Sequence, residues 1–127
     1  MSYEILSNLT ERRTIKVNGK PVEATIGVAI SYETDSVVGS VDFGDKNAEQ
    51  DYYKRFETGE LLNLVLRVEA SALGLSGTDY LGGVHIKASE LERDTSSIVS
   101  EHGMIDVAIS ELTQEITDTA KRLREYA

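Results

Sequence analysis

Residues 22–33 set apolar side chains at every second position without a break. Val22, Ala24, Ile26, Val28, Ile30 and Tyr32 fall on one phase; Glu23, Thr25, Gly27, Ala29, Ser31 and Glu33 fall on the other. A period of two sends successive side chains to opposite faces of a strand. Such a run dictates a long strand with one buried face, and a strand needs partners. Thr14-Ile15-Lys16-Val17 alternates in the same way. Asn18-Gly19-Lys20-Pro21 joins the two segments as a turn, because Asn-Gly tolerates positive φ. Pro21 is the single proline, placed where a strand can begin without its N–H. After Glu33-Thr34-Asp35-Ser36 the alternation resumes through Val37, Gly39, Val41 and Phe43, which predicts a three-stranded meander. Residues 1–12 fit either a short helix or a first strand, through Tyr3, Ile5, Leu6 and Leu9.

Gly44-Asp45-Lys46-Asn47 opens a helical segment that Asp45 or Asn47 can cap by accepting a free N–H. Tyr52, Tyr53 and Phe56 sit on adjacent turns, a spacing that suits core packing, and Gly59 is a natural stop. Leu62, Leu64, Leu66, Val68 and Ala70 alternate again; beyond Ala72 the apolar phase moves to Leu73 and Leu75. A bulge or a strand end explains that shift. Ser76-Gly77-Thr78-Asp79 reads as a turn, and Val84 and Ile86 as the next strand. Helix follows from Ala88, started by Ser89-Glu90-Leu91-Glu92 or by Asp94-Thr95-Ser96, and Gly103 breaks it. Ile105, Ala108/Ile109, Leu112, Ile116, Ala120 and Leu123 then form one stripe at i, i+3, i+4 spacing. At 1.5 Å per residue the stripe runs roughly 30 Å, long for one small sheet, so part of it can pair with a second chain. The predicted fold class is α+β: an antiparallel β-sheet of about five strands with a short central helix and a long C-terminal amphipathic helix. The helices lie on one side of the sheet, and residues 1–127 make a single domain.

The chain has 127 residues, no cysteine and a net charge of −9. Lacking cysteine, it can form neither disulfides nor thiolate metal sites. The charge opposes direct nucleic-acid binding and docking on anionic membranes. No apolar run approaches the ~18 residues of a membrane span, and Met1-Ser2-Tyr3-Glu4 has neither region of a signal peptide. These features predict a cytoplasmic protein.

Catalytic chemistry is poorly supplied. Gly74-Leu75-Ser76-Gly77 lacks a spacer residue of the G-x-S-x-G nucleophile elbow, and no P-loop or dinucleotide fingerprint occurs. As a calcium loop, the segment starting at Asp45 has Gln50 in place of the required Gly and Phe56 in place of the bidentate Glu. His85 falls on the outward phase of a strand, and His102 precedes a helix-ending glycine. No catalytic residue, metal ligand or cofactor is therefore assigned.

What stands out is 74–86, which holds four of the ten glycines. Glycine lets a ligand or another backbone approach closely. The expected ligand contacts are Gly77, Thr78, Asp79, Tyr80, Gly82, Gly83 and His85. Asp79 would accept from ribose hydroxyls and Tyr80 would stack on a base. Arg67, or Arg12/Arg13, would meet a phosphate.

Residues 74–84, followed by Met104-Ile105-Asp106-Val107-Ala108 and the terminal helix, resemble small phage-encoded proteins of the Thoeris anti-defence type. The likeness covers about half the chain, and none of that family's ligand residues can be matched position by position. The resemblance implies an oligomeric, non-enzymatic sponge that sequesters a nucleotide-derived immune signal such as a cyclic ADP-ribose isomer, here assembled through the C-terminal helix. Small anti-CRISPR proteins have a similar general appearance. They suggest the alternative: an acidic inhibitor of a host nuclease or other defence protein, with Glu111, Glu115 and Asp118 making the contact.

Overall fold

The computed structural model describes residues 5–33 and 44–126, with only the backbone described for residues 5–8. Four strands, β1 (Ile5–Val17), β2 (Lys20–Tyr32), β3 (Leu61–Ala72) and β4 (Leu75–Lys87), form one antiparallel sheet in sequence order. Helix α1 (Lys46–Glu57) lies between β2 and β3 in the chain. A 3-10 turn at Ala88–Glu90 leads into α2 (Leu91–Glu101), and α3 (Met104–Arg124) follows. The α+β class holds, with four strands among the described residues where about five were expected. The predicted strand at Val37–Phe43 lies outside the described residues. Among these residues no helix is long and apolar enough to cross a membrane.

The long alternating run became β2 as its pattern requires. Ala24, Ile26 and Ile30 are almost fully buried. They join Leu64, Leu66, Val68 and Ala70 of β3 and Val84 and Ile86 of β4 in one core, closed by Val99, Met104, Ala108 and Leu112 of the helices. The odd phase of β3, Asn63 to Ser71, faces the other way. Residues 1–12, which fitted helix or strand, contribute strand from Ile5 onward.

Both tight hairpins turn over two residues. Val17 pairs with Lys20 across Asn18-Gly19, and Ala72 pairs with Leu75 across Leu73-Gly74. All four turn residues have positive φ: 52° and 78° in the first hairpin, 55° and 75° in the second. That geometry matches the right-handed twist of the flanking strands. The second turn corrects two sequence readings. The chain reverses at Leu73-Gly74, not at Ser76–Asp79, and the glycine-rich stretch continues as β4. A leucine is a poor marker for such a turn, because the left-handed region costs a side-chain-bearing residue roughly 1–2 kcal/mol. Leu73 is 73% exposed, so no burial offsets that strain. Leu73→Asn is therefore expected to raise unfolding free energy by about 1 kcal/mol, read as a higher urea midpoint. An unchanged or lower midpoint would refute the strain argument.

Helix α1 begins where predicted. The Asp45 carboxylate accepts from the Asn47 N–H at 2.9 Å, and Gly59 follows the last turn with φ of 80°. It packs on the face opposite α2 and α3: Tyr52 and Phe56 rest against His85, whose neighbours Val84 and Ile86 point into the core. The expectation that all helices share one side is thus wrong. Tyr52 and Phe56 are apolar partners for the outward phase of β4, so they draw α1 to that face.

Candidate functional site

The eight residues expected to hold a ligand lie at four separate places. Gly77 sits under α3. A Cβ there would overlap the Ala108 carbonyl oxygen and the Leu112 nitrogen and lie 2.7 Å from Glu111 Cβ. The missing side chain makes room for a helix backbone, not a ligand. Beside it the Thr78 N–H donates to Glu111 Oε2 at 2.9 Å, which ties the edge strand to α3. Asp79 lies opposite Val68 on the helix-side phase, and its carboxylate accepts from the Tyr80 N–H at 3.1 Å.

Gly82 and Gly83 form a β-bulge. Leu64 pairs with Val84 and Leu66 with Leu81, so two residues oppose Val65. Gly83 takes φ of 64° there, and its N–H donates to Glu33 Oε2 at 3.3 Å. The bulge resets the strand: the helix-side phase is odd through Leu81 and even from Val84. His85 is consequently on the α1 face. Asp79 and His85 point to opposite faces and cannot act as an acid–base pair.

His85 is bound into the α1 contact. Tyr52 Oη and His85 Nδ1 are 2.7 Å apart, and the Phe56 ring stands edge-on at 4.9 Å. Burial holds the His85 pKa below its usual 6.5 and raises that of Tyr52 above 10.0. The folded chain therefore takes up the His85 proton less readily than the unfolded chain. Stability is full above 6.5, falls as pH drops below that value, and levels off below the lowered folded pKa. Urea midpoints are expected to decline from pH 7.5 to 5.5, within about two units of the imidazole range, and less steeply in His85→Phe. Identical slopes in the two proteins would show that His85 carries no such linkage.

Arg67, Thr78 and Tyr80 do come together, on the sheet face away from α2 and α3. Arg67 pairs with Tyr80 and Glu69 with Thr78 across the β3–β4 ladder. Tyr80 is 60% exposed, and Arg67 has no carboxylate partner among the described residues. Between them and β1 lies a shallow hollow of about 200 Å³, lined by Thr10, Thr25, Gly27, Arg67, Glu69 and Ser71. A Cβ at Gly27 would meet nothing within 4 Å among the described residues, so the floor is open to them. Arg12, opposite Thr25, is on the same face. Arg13 is on the other, paired with Glu11 at 3.1 Å. Sequence reasoning missed Thr25, Gly27, Glu69 and Ser71. Their signal was available: they occupy the polar phase of the two alternating strands.

No protein-family model, curated protein or solved structure matches this chain.

Proposed function

We propose that the chain is a non-enzymatic binding protein that holds a nucleotide-derived anion on the open face of its sheet. The Arg67–Tyr80 cross-strand pair beside the Gly27 hollow carries this reading. A free guanidinium meets a phosphate in a bidentate manner, an exposed ring stacks on a base, and Glu69 with Thr25 and Thr78 offers partners for ribose hydroxyls. Sequestering an immune signal on behalf of a phage is the wider role implied by the resemblance of 74–84 and 104–108. The glycines that carry that resemblance have structural uses here, Gly74 in the turn and Gly77 beneath α3.

Self-association through α3 belongs to the same reading. Beyond Leu112 the apolar stripe is only half-covered at Ile116 and 66% exposed at Leu123. An antiparallel pair of these helices would cover that part of the stripe in both copies. The acidic-inhibitor alternative has less support, since Glu111 already accepts from Thr78 and Asp118 from Gln114.

Native mass spectrometry with ADP-ribose, cyclic ADP-ribose isomers and cyclic dinucleotides tests both parts, reading subunit number and added mass together. A defined, unmodified ligand mass is expected. Arg67→Ala and Tyr80→Ala should each weaken binding at least about tenfold, or 1.4 kcal/mol, with circular dichroism unchanged. No mass gain from any probe, or equal affinity in both variants, would end the proposal.

A further inference from the structure

A second site lies on the other side of the sheet. Helices α2 and α3 leave part of β1 and β2 uncovered, and a cavity of about 430 Å³ remains between them. That volume is within the ~300–1,000 Å³ of small-molecule sites. Its walls are apolar: Leu9, Ile26, Val28, Val99 and Ile105. Its polar residues include Thr10 and Glu11 on β1, Thr95, Ser96 and Ser100 on α2, and Asp106 in the first turn of α3. Among the described residues, lysine, arginine and histidine are absent from the lining. Glu11 is paired with Arg13, while Asp106 has no ion-pair partner among the described residues.

Thr95 makes this more than an unfilled gap. It lines the cavity, is 1% exposed, and its Oγ1 has no hydrogen-bond partner among the described residues. A buried hydroxyl without a partner is costly, and each such group in a native structure calls for an explanation. A threonine inside a helix can bond back to the carbonyl four residues earlier, but here it does not. The α3 N-terminus beside it, with Gly103 at φ of 60° in the cap position, has no side-chain cap for its first-turn N–H groups, and its Gly103, Ile105 and Asp106 line the cavity.

We infer that this cavity binds an apolar small molecule whose head group is hydrogen-bonding but not anionic, such as an aliphatic alcohol. The five apolar side chains take the hydrocarbon body. Thr95 and the uncapped α3 terminus bond the head, and the Asp106 carboxylate at the mouth repels an anion.

The test compares 1-octanol with octanoate at neutral pH, titrated into the full chain and followed by methyl NMR shifts of Val99 and Ile105. Octanol is expected to shift both and to bind at least tenfold more tightly than octanoate. Ser100→Trp, at an exposed mouth position, should abolish the shifts while leaving the amide spectrum dispersed. Thr95→Val, which keeps the side chain's shape, should weaken octanol several-fold in a folded protein. No shift up to the solubility limit, octanoate binding as tightly as octanol, or undiminished binding in Ser100→Trp would each overturn the inference.

Discussion

Gly77→Ala is expected to destabilise the protein by about 3 kcal/mol or more. Overpacking a close-fitted interior costs typically 1–3 kcal/mol, and the added methyl here meets backbone on two sides rather than a side chain that can swing away. The Ala108 carbonyl and the Leu112 nitrogen both belong to α3. The only relief is to lift the helix off β4, which also breaks the Thr78 to Glu111 bond and loosens Ala108 and Leu112, both fully buried. Gly82→Ala is the internal control. Among the described residues its added methyl would meet only the Glu33 side chain, which can move. Urea unfolding of the two variants should separate them widely. Equal, small losses would mean that α3 does not approach β4 as described.

Leu112→Ala is expected to cost between about 2 and 5 kcal/mol, the range for removing a fully buried leucine side chain. Leu112 is the last residue of α3 with no exposed surface. Past it, Ile116 and Ala120 are half-covered and Leu123 is mostly exposed. The same truncation at Leu123 should change monomer stability by no more than about 0.5 kcal/mol, as at other surface positions. Hydrogen exchange adds a second readout. Leu112→Ala should raise exchange along the C-terminal half of α3 before the sheet opens. Equal losses at 112 and 123 would contradict the burial gradient along the helix.

Local chemistry made much of this fold legible. Alternation marked β2 and β3, Asn-Gly marked the first hairpin, Asp45 and Gly59 bracketed α1, and the 3.6-residue stripe marked α3. The second hairpin was hidden because Leu73 occupies a left-handed turn position that composition assigns to glycine or asparagine. Gly77 was legible as a place of close approach but not as to what approaches. A glycine records only that space is needed; the docking of α3 decides who uses it. The bulge at Gly82-Gly83 moved His85 off the face of Asp79, and one extra residue in a ladder leaves almost no trace in hydropathy. For the open face, Arg67 and Tyr80 were both named as ligand contacts, and the structure sets them side by side across the β3–β4 ladder. Their adjacency depends on the β3–β4 register, which the misplaced turn had obscured. The cavity draws on β1, β2, α2 and α3 together, and its only local sign was three hydroxyls, Thr95, Ser96 and Ser100, close together on one helix.

The order of the strands also bears on how the chain reaches this state. Among the described residues, every strand pairs only with its neighbours in sequence. Two of the three ladders close over two-residue turns, so β1–β2 and β3–β4 can each zip locally, on the microsecond scale of isolated hairpins. Joining the halves is different. It must close the whole stretch from Glu33 to Glu60 and bring Thr25 opposite Ser71, and the entropy of that loop is lost before β2–β3 contacts repay it. The folding barrier should therefore lie at the central ladder. Substitutions at Asn18 or Leu73, in hairpins that close before the barrier, should act mainly on the folding rate, whereas Ile30 or Leu66, which face each other in the ladder completed at and after it, should act on both folding and unfolding.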